Sequence, residues 1–235
     1  MSGHFQIVSS RAAIAPIAAD MIASAILRDV HSRGTASIML SGGSTPGATF
    51  EALSHYDLPW DKVTIGLVDD RWVPETNKGS NGALIRRTLL RNKAKSATFI
   101  PMKTHHDTIQ GGLANVAKAY AALSRPYSFV LLGMGPDGHT ASWFPKADGL
   151  DYALDMNSGA IVAPITANKS PVTGDYLHRM TLTLPAIADA RFALLLLTGA
   201  EKRVVFEAAQ DASLNYPITH AITALGERLT TLYAE

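Results

Sequence analysis

Phe129-Val130-Leu131-Leu132-Gly133-Met134-Gly135-Pro136-Asp137-Gly138-His139-Thr140 joins an apolar run to a glycine-rich polar loop. Phe129 to Leu132 is unbroken apolar sequence bounded by glycine, the pattern of a strand buried on both faces. Strands of that kind belong to parallel sheets covered by helices. Three glycines at the strand exit let the backbone turn sharply and come close to a ligand. Asp137 and His139 therefore fall at the carboxyl end of a strand, where open α/β sheets bind their ligands. Of the eight histidines, His139 is the one framed by glycines, an aspartate and a strand end. It is the candidate general base, since a neutral imidazole accepts a proton at cytoplasmic pH.

Working outward, the same strand–helix alternation runs in both directions. Upstream, Ala36 to Leu40 reads as a strand left through Ser41-Gly42-Gly43-Ser44-Thr45-Pro46, with Thr45 as N-cap and Pro46 as first residue of the next helix, running to Leu53 or Ser54. Val63 to Val68 is a strand ending in Asp69-Asp70-Arg71-Trp72, and Thr98 to Pro101 a brief one. Helical spacing marks Ser10 to Asp29, with Ser10 as N-cap, then Ser80 or Asn81 to Leu90, and Thr108 to Leu123. Downstream, a short helical stretch ended by Pro145 and a polar loop through Gly159 are expected. Ile161 to Ile165, Met180 to Leu184, Phe192 to Thr198 and Thr230 to Tyr233 read as strands, Glu201 to Ala209 and Ile218 to Leu225 as helices. No repeat, low-complexity tract or proline-rich linker divides the chain. The expectation is one α/β domain over residues 1–235, a mostly parallel sheet with helices on both faces in a Rossmann-like three-layer sandwich.

Composition narrows what such a domain does. At 235 residues, 47% hydrophobic and 17% charged, the chain has the make-up of a globular protein with a substantial core. A net charge of +1 offers no broad field for nucleic acid or an anionic membrane. Without cysteine there is no disulfide, thiol nucleophile or thiolate metal site. Met1 to Ser10 lacks a basic segment followed by an apolar one, and Ala12 to Leu27 is interrupted by Pro16 and Asp20. Neither a signal peptide nor a membrane span is expected, and a cytoplasmic location follows as the default.

Four loops carry candidate chemistry. Ser41 to Pro46 is either an ordinary tight turn or an anion cradle, in which Gly42 and Gly43 free backbone N–H groups, Ser44 and Thr45 add hydroxyls, and a helix N-terminus adds its positive end. It lacks the spacing and lysine of a nucleoside-triphosphate loop, so a single phosphate or carboxylate fits better. Gly133 to Gly138 matches G-x-G-x-x-G, but Pro145 stops any helix within two turns, against a dinucleotide site. Asp69-Asp70-Arg71 reads as a metal site, an acid/base pair or a solvated loop with an ion pair, metal being the least favoured. Arg179 and Lys202 read either as plain surface charges or, since each lies at an element boundary, as side chains placed to reach a phosphate. The basic run Arg86, Arg87, Arg91, Lys93 and Lys95 has no interleaved aromatics and reads as a solvated face. His105-His106-Asp107 is not expected to converge on a metal ion, because neighbouring side chains point apart. No nucleophile-elbow serine is present.

These segments together carry a family resemblance. Ser41-Gly42-Gly43-Ser44-Thr45-Pro46, Asp69-Asp70-Arg71-Trp72-Val73-Pro74 with Ser80-Asn81, and Gly133 to Pro145 match in order, followed by Arg179 to Pro185 and Thr198-Gly199-Ala200-Glu201-Lys202. On them the chain resembles the 6-phosphogluconolactonases, which open 6-phosphoglucono-1,5-lactone in the oxidative pentose phosphate pathway. It departs at Asp70, where that family more often has glutamate. The resemblance implies that residues 41–46 with Arg179 and Lys202 hold the substrate's 6-phosphate. His139 is then the base that activates water and Arg71 lies in the same pocket; Asp137, by its place beside His139 in the sequence, is expected to help orient the imidazole. It implies a small sugar-phosphate lactone as partner and no metal, cofactor or covalent nucleophile. Glucosamine-6-phosphate deaminases share the SGGSTP loop, but after their histidine they continue toward Phe-Asn-Glu, whereas this chain has Ser142-Trp143-Phe144-Pro145. A non-catalytic sugar-phosphate sensor would use the same cradle, yet only one convincing helix precedes the first strand.

Overall fold

In the computed structural model, which describes residues 4–235, the strand Phe129–Gly133 lies at the middle of a seven-stranded parallel sheet. Residues 1–3, the start of the stretch read for a signal peptide, lie outside the described part. In chain order the elements are β1 (His4–Ile7), α1 (Arg11–Arg33), β2 (Ala36–Leu40), α2 (Ser44–Leu53), β3 (Val63–Leu67), β4 (Asp69–Arg71), α3 (Asn81–Thr88), β5 (Thr98–Phe99) and α4 (Ile109–Ala121). They continue as β6 (Phe129–Gly133), α5 (Leu150–Leu154), β7 (Val162–Thr166), β8 (His178–Leu182), α6 (Leu184–Ala188), β9 (Ala193–Thr198), α7 (Ala200–Ala208), α8 (Pro217–Leu225) and β10 (Leu229–Ala234).

The sheet order is β1-β10-β9-β6-β2-β3-β5, with every pair parallel. β2 and β10 are buried at every residue, as strands covered by helices on both faces must be. With its eight α-helices among the described residues this is the expected three-layer α/β fold. Local signals account for several helix starts. Ser10, Ser80 and Thr108 cap α1, α3 and α4 by accepting backbone N–H groups of Ala13, Ala83 and Gly111. A continuous core holds the largest buried side chains, Trp60 and Trp143 among them. Among the described residues no helix is long and apolar enough to cross a membrane.

Elsewhere the structure differs from expectation, each time for a physical reason. β4, β8 and β7 leave the main sheet and form an antiparallel one in the order β4-β8-β7. No helix lies between β7 and β8, and a parallel crossover needs one, so the pair runs antiparallel. Asp69-Asp70-Arg71 is therefore a strand rather than the loop after one. Thr45 does not cap α2. Gly43, at φ +121°, occupies the N-cap with no side-chain bond, so the helix opens at Ser44 and leaves its first N–H groups free. No helix follows Thr140: residues 140–147 are turns around a single Thr140–Trp143 bridge, with Ala141 and Lys146 left-handed. The polar loop before Gly159 contains α5, and the strand expected to reach Leu184 stops at Leu182, because Thr183 caps α6. β1 carries no apolar run, all four residues being exposed, and exists by pairing with β10.

Candidate active site

The chain leaves β2 through α2 to β3 on one side, and leaves β6 toward β9 on the other. Strand order thus reverses between the adjacent β2 and β6, the switch point at which α/β sheets open a crevice beyond their carboxyl ends. The loops leaving these two strands open onto one cleft of about 320 Å³. Gly42, Gly43, Ser44, Thr45 and His139 all line it. Arg71 and Arg179 enter from the small sheet, and Lys202 from α7. Asp137 stands behind the histidine.

His139 Nδ1 is 2.5 Å from Asp137 Oδ1, which also accepts the His139 backbone N–H at 3.2 Å. A carboxylate only accepts, so the hydrogen-bond network assigns the proton to Nδ1 and the lone pair to Nε2. Burial raises the Asp137 pKa, but the hydrogen bonds from His139, and its charge when the ring is protonated, outweigh burial and hold the carboxyl below its ordinary value. Gly135 makes this pair possible: a Cβ there would run into His139 Nδ1 and lie 2.6 Å from Asp137 Oδ1. Gly138, at φ +74°, turns the loop with the Tyr216 ring packed against it.

Other residues lining the cleft suit an anion. α2 presents an uncapped N-terminus there, and Ser41 Oγ donates to Leu131 O at 2.7 Å, tying the loop to β6. Lys202 lies in the first turn of α7, behind the Gly199 N-cap. Burial lowers its pKa, opposed by Glu201 and Asp137. Arg179 is 4% exposed; its Nε donates to Tyr176 O at 2.9 Å and its Nη2 to Thr173 O at 3.3 Å. Burial pushes its pKa down to about 10 against the charge of Asp69, and Arg71 lowers it further. Cations held in this way gain from a bound anion.

The two aspartates separate by role. Asp70, 2% exposed, does not line the cleft and accepts N–H groups of Asn81, Gly82 and Arg71 at 2.7, 3.0 and 2.8 Å. It holds the N-terminus of α3, and burial pushes its pKa up to about 6 against those donors. Asp69 does line the cleft, where it accepts the Ser142 hydroxyl at 2.6 Å. Arg71 Nη1 donates to Gly79 O and Asn81 Oδ1, while its Nε is buried without a partner. The solvated-loop reading of this triplet is thereby removed. The His105 and His106 rings, expected to point apart, lie with centroids 4.0 Å apart. Among the described residues no group of three or more His, Cys, Asp or Glu is placed to hold a metal ion. In the basic run, Arg86, Arg91 and Lys93 pair with Glu75, Glu51 and Asp57.

Residues 9–230 match the family model described as glucosamine-6-phosphate isomerases/6-phosphogluconolactonase. This chain belongs to that family. Its relatives include a 6-phosphogluconolactonase of Mesorhizobium japonicum, 39% identical over 95% of this chain and 92% of the relative. One of Neisseria meningitidis is 39% identical over 92% and 93%. A crystal structure of a 6-phosphogluconolactonase from Shewanella baltica superposes with TM-score 0.89 at 33% identity, covering 99% of this chain and 98% of that one. A monomeric glucosamine-6-phosphate deaminase superposes at TM-score 0.80 with 16% identity, a likeness of fold. Within the isomerase/lactonase family, the chain therefore stands with the lactonases.

Among the cleft residues that sequence reasoning left without a role are Asp69, Asn81 and Thr198. Asn81 occupies the space that a Cβ on Gly42 would need, so the second strand loop and the start of α3 interlock. The signal was present, since Ser80-Asn81 and Asp69 belong to the matching segments, but only the fold brings Asn81 against Gly42 and Asp69 into the cleft.

Proposed function

We propose that the chain hydrolyses 6-phospho-D-glucono-1,5-lactone to 6-phospho-D-gluconate, the lactone-opening step of the oxidative pentose phosphate pathway, as one domain over residues 1–235. The observation carrying this reading is that residues 42–45, Arg179 and Lys202 line the same cleft as His139, whose imidazole is held by Asp137. The 6-phosphate sits on the free N–H groups of residues 43–45 with Lys202 and Arg179, which fixes the lactone carbonyl near His139. His139 Nε2 takes a proton from water as the oxygen attacks C1, and Asp137 stabilises the imidazolium through Nδ1–H. Arg71, which lines the cleft, stabilises the negative charge on the former carbonyl oxygen. Collapse breaks the bond from C1 to the ring oxygen, which receives the proton from His139. The products are a free hydroxyl and a carboxylic acid that ionises and releases its proton to solvent, with no metal or covalent intermediate required.

The direct test is proton release from the lactone with and without its 6-phosphate. His139→Ala is expected to lower kcat by about 10²–10⁴-fold. Lys202→Ala is expected to lose most of the preference for the phosphorylated lactone. Full turnover by the histidine variant, or an unchanged preference in the lysine variant, would refute the respective assignment.

A further inference from the structure

We propose that Phe144 is a positioning residue: its ring ties the candidate base to a candidate phosphate ligand and sets the separation between them. The ring is 3% exposed and carries two functional side chains at once. The His139 imidazole lies against it with centroids 4.3 Å apart and planes tilted by 33°. The Arg179 guanidinium stands over it, 4.7 Å from its centroid. His139 follows β6 of the main sheet, whereas Arg179 is on β8 of the small one. One aromatic ring thus spans the seam between the two sheets where both ends of the substrate would be held.

Each contact supplies what the hydrogen bonds leave out. Asp137 holds one atom of the imidazole, Nδ1, and a single hydrogen bond leaves the ring plane free to swing. Packing against Phe144 fixes that plane and so aims Nε2. The electron-rich aromatic face also favours the imidazolium formed when water gives up its proton. Arg179 is held by two carbonyls, Tyr176 O and Thr173 O, and the aromatic face sets the plane of its guanidinium.

The backbone around Phe144 is built for this placement. Ala141 at φ +51° and Lys146 at φ +61° are left-handed without being glycine. Such residues persist where their surroundings over-determine them. Here the anchors are Ser142 Oγ on Asp69 Oδ2 at 2.6 Å, Ser142 N on Thr181 Oγ1 at 3.3 Å, and Trp143 Nε1 on Leu182 O at 2.9 Å. All three fasten the segment to the small sheet and carry Phe144 against the base.

The kinetic half of this inference rests on the lactonase reading, so the test has a second, binding half that does not. Phe144→Leu keeps an apolar side chain and removes the aromatic face, while Phe144→Tyr keeps it. In Phe144→Leu, kcat should fall by roughly tenfold to a hundredfold on phosphorylated and unphosphorylated lactone alike, because the base is misaimed. KM should rise about fivefold for the phosphorylated lactone only, because Arg179 loses its platform. Phe144→Tyr should restore both to within about threefold of wild type, a rescue that a merely structural defect would not show. Calorimetric binding of 6-phosphogluconate should weaken in Phe144→Leu and recover in Phe144→Tyr whether or not wild type turns over the lactone. Absence of wild-type turnover would end the lactonase reading and leave the binding result to decide the Arg179 contact. Equal losses in the two variants, or constants and affinity unchanged in Phe144→Leu, would overturn the proposal.

Discussion

At residue scale, the cleft depends on atoms that are missing as much as on those present. Gly135 does not adopt a positive φ, so an alanine there costs space rather than backbone strain. Its methyl must displace His139 or Asp137, and a reacting group moved by about 1 Å loses up to about 10²-fold in rate. Gly135→Ala is therefore expected to keep the wild-type melting temperature within a few degrees while kcat falls by roughly tenfold or more. Steady-state kinetics beside a thermal melt checks both halves. Lys202 offers a pH readout. Burial places its pKa below the ordinary lysine value, so its charge is lost at lower pH than for an exposed lysine. Arginine keeps its charge throughout. Titrating 6-phosphogluconate binding from about pH 7 to about pH 10 should show wild type weakening before Lys202→Arg does. Parallel curves would show that Lys202 does not contribute its charge to binding.

At the scale of elements, β4 and α3 are joined through one side chain. Asp70 accepts the first two N–H groups of α3 and its own neighbour's, and no other residue replaces it. Asp70→Ala should lower the unfolding free energy by about 2–3 kcal/mol, read from the denaturant midpoint. The pH sign follows from a folded pKa raised from 3.8 to about 6. Between those values the folded state binds the proton more tightly than the unfolded chain, so this group's contribution to stability declines as pH rises through that window. Asp70→Asn, neutral throughout, should lack that slope. A difference between wild type and Asp70→Asn that is constant from about pH 4 to about pH 6 would contradict the assignment. The elements also show where local reading stops. Ser10, Ser80 and Thr108 announce their helices because a cap needs only its own next few residues. Thr45 misleads because Gly43, free to take φ +121°, starts α2 earlier. The sheet to which Val162–Thr166 and His178–Leu182 belong depends on pairing partners that their own residues do not specify.

At the scale of the whole molecule, the net charge of +1 conceals a local concentration of cations. Arg71, Arg179 and Lys202 reach one cleft from β4, β8 and α7. A dianionic substrate should feel them through solvent at the cleft mouth, so raising ionic strength from about 0.05 to about 0.5 M should increase KM for the phosphorylated lactone severalfold and leave the unphosphorylated one unchanged. A KM independent of salt would place the phosphate elsewhere. What the chain's order alone determined was the alternation of buried strands and amphipathic helices, the glycine loops after β2 and β6, and the histidine candidate with its aspartate neighbour. These are properties of consecutive residues: periodicity, capping, the conformational freedom of glycine. The convergence of residues 42–45, 71, 139, 179 and 202 on one cleft, the second sheet, the diversion of Asp70 to a helix end and the seating of His139 and Arg179 on Phe144 were decided only by tertiary structure. Most of these join atoms far apart in sequence, and such contacts are selected by packing and pairing across the fold rather than by any local pattern.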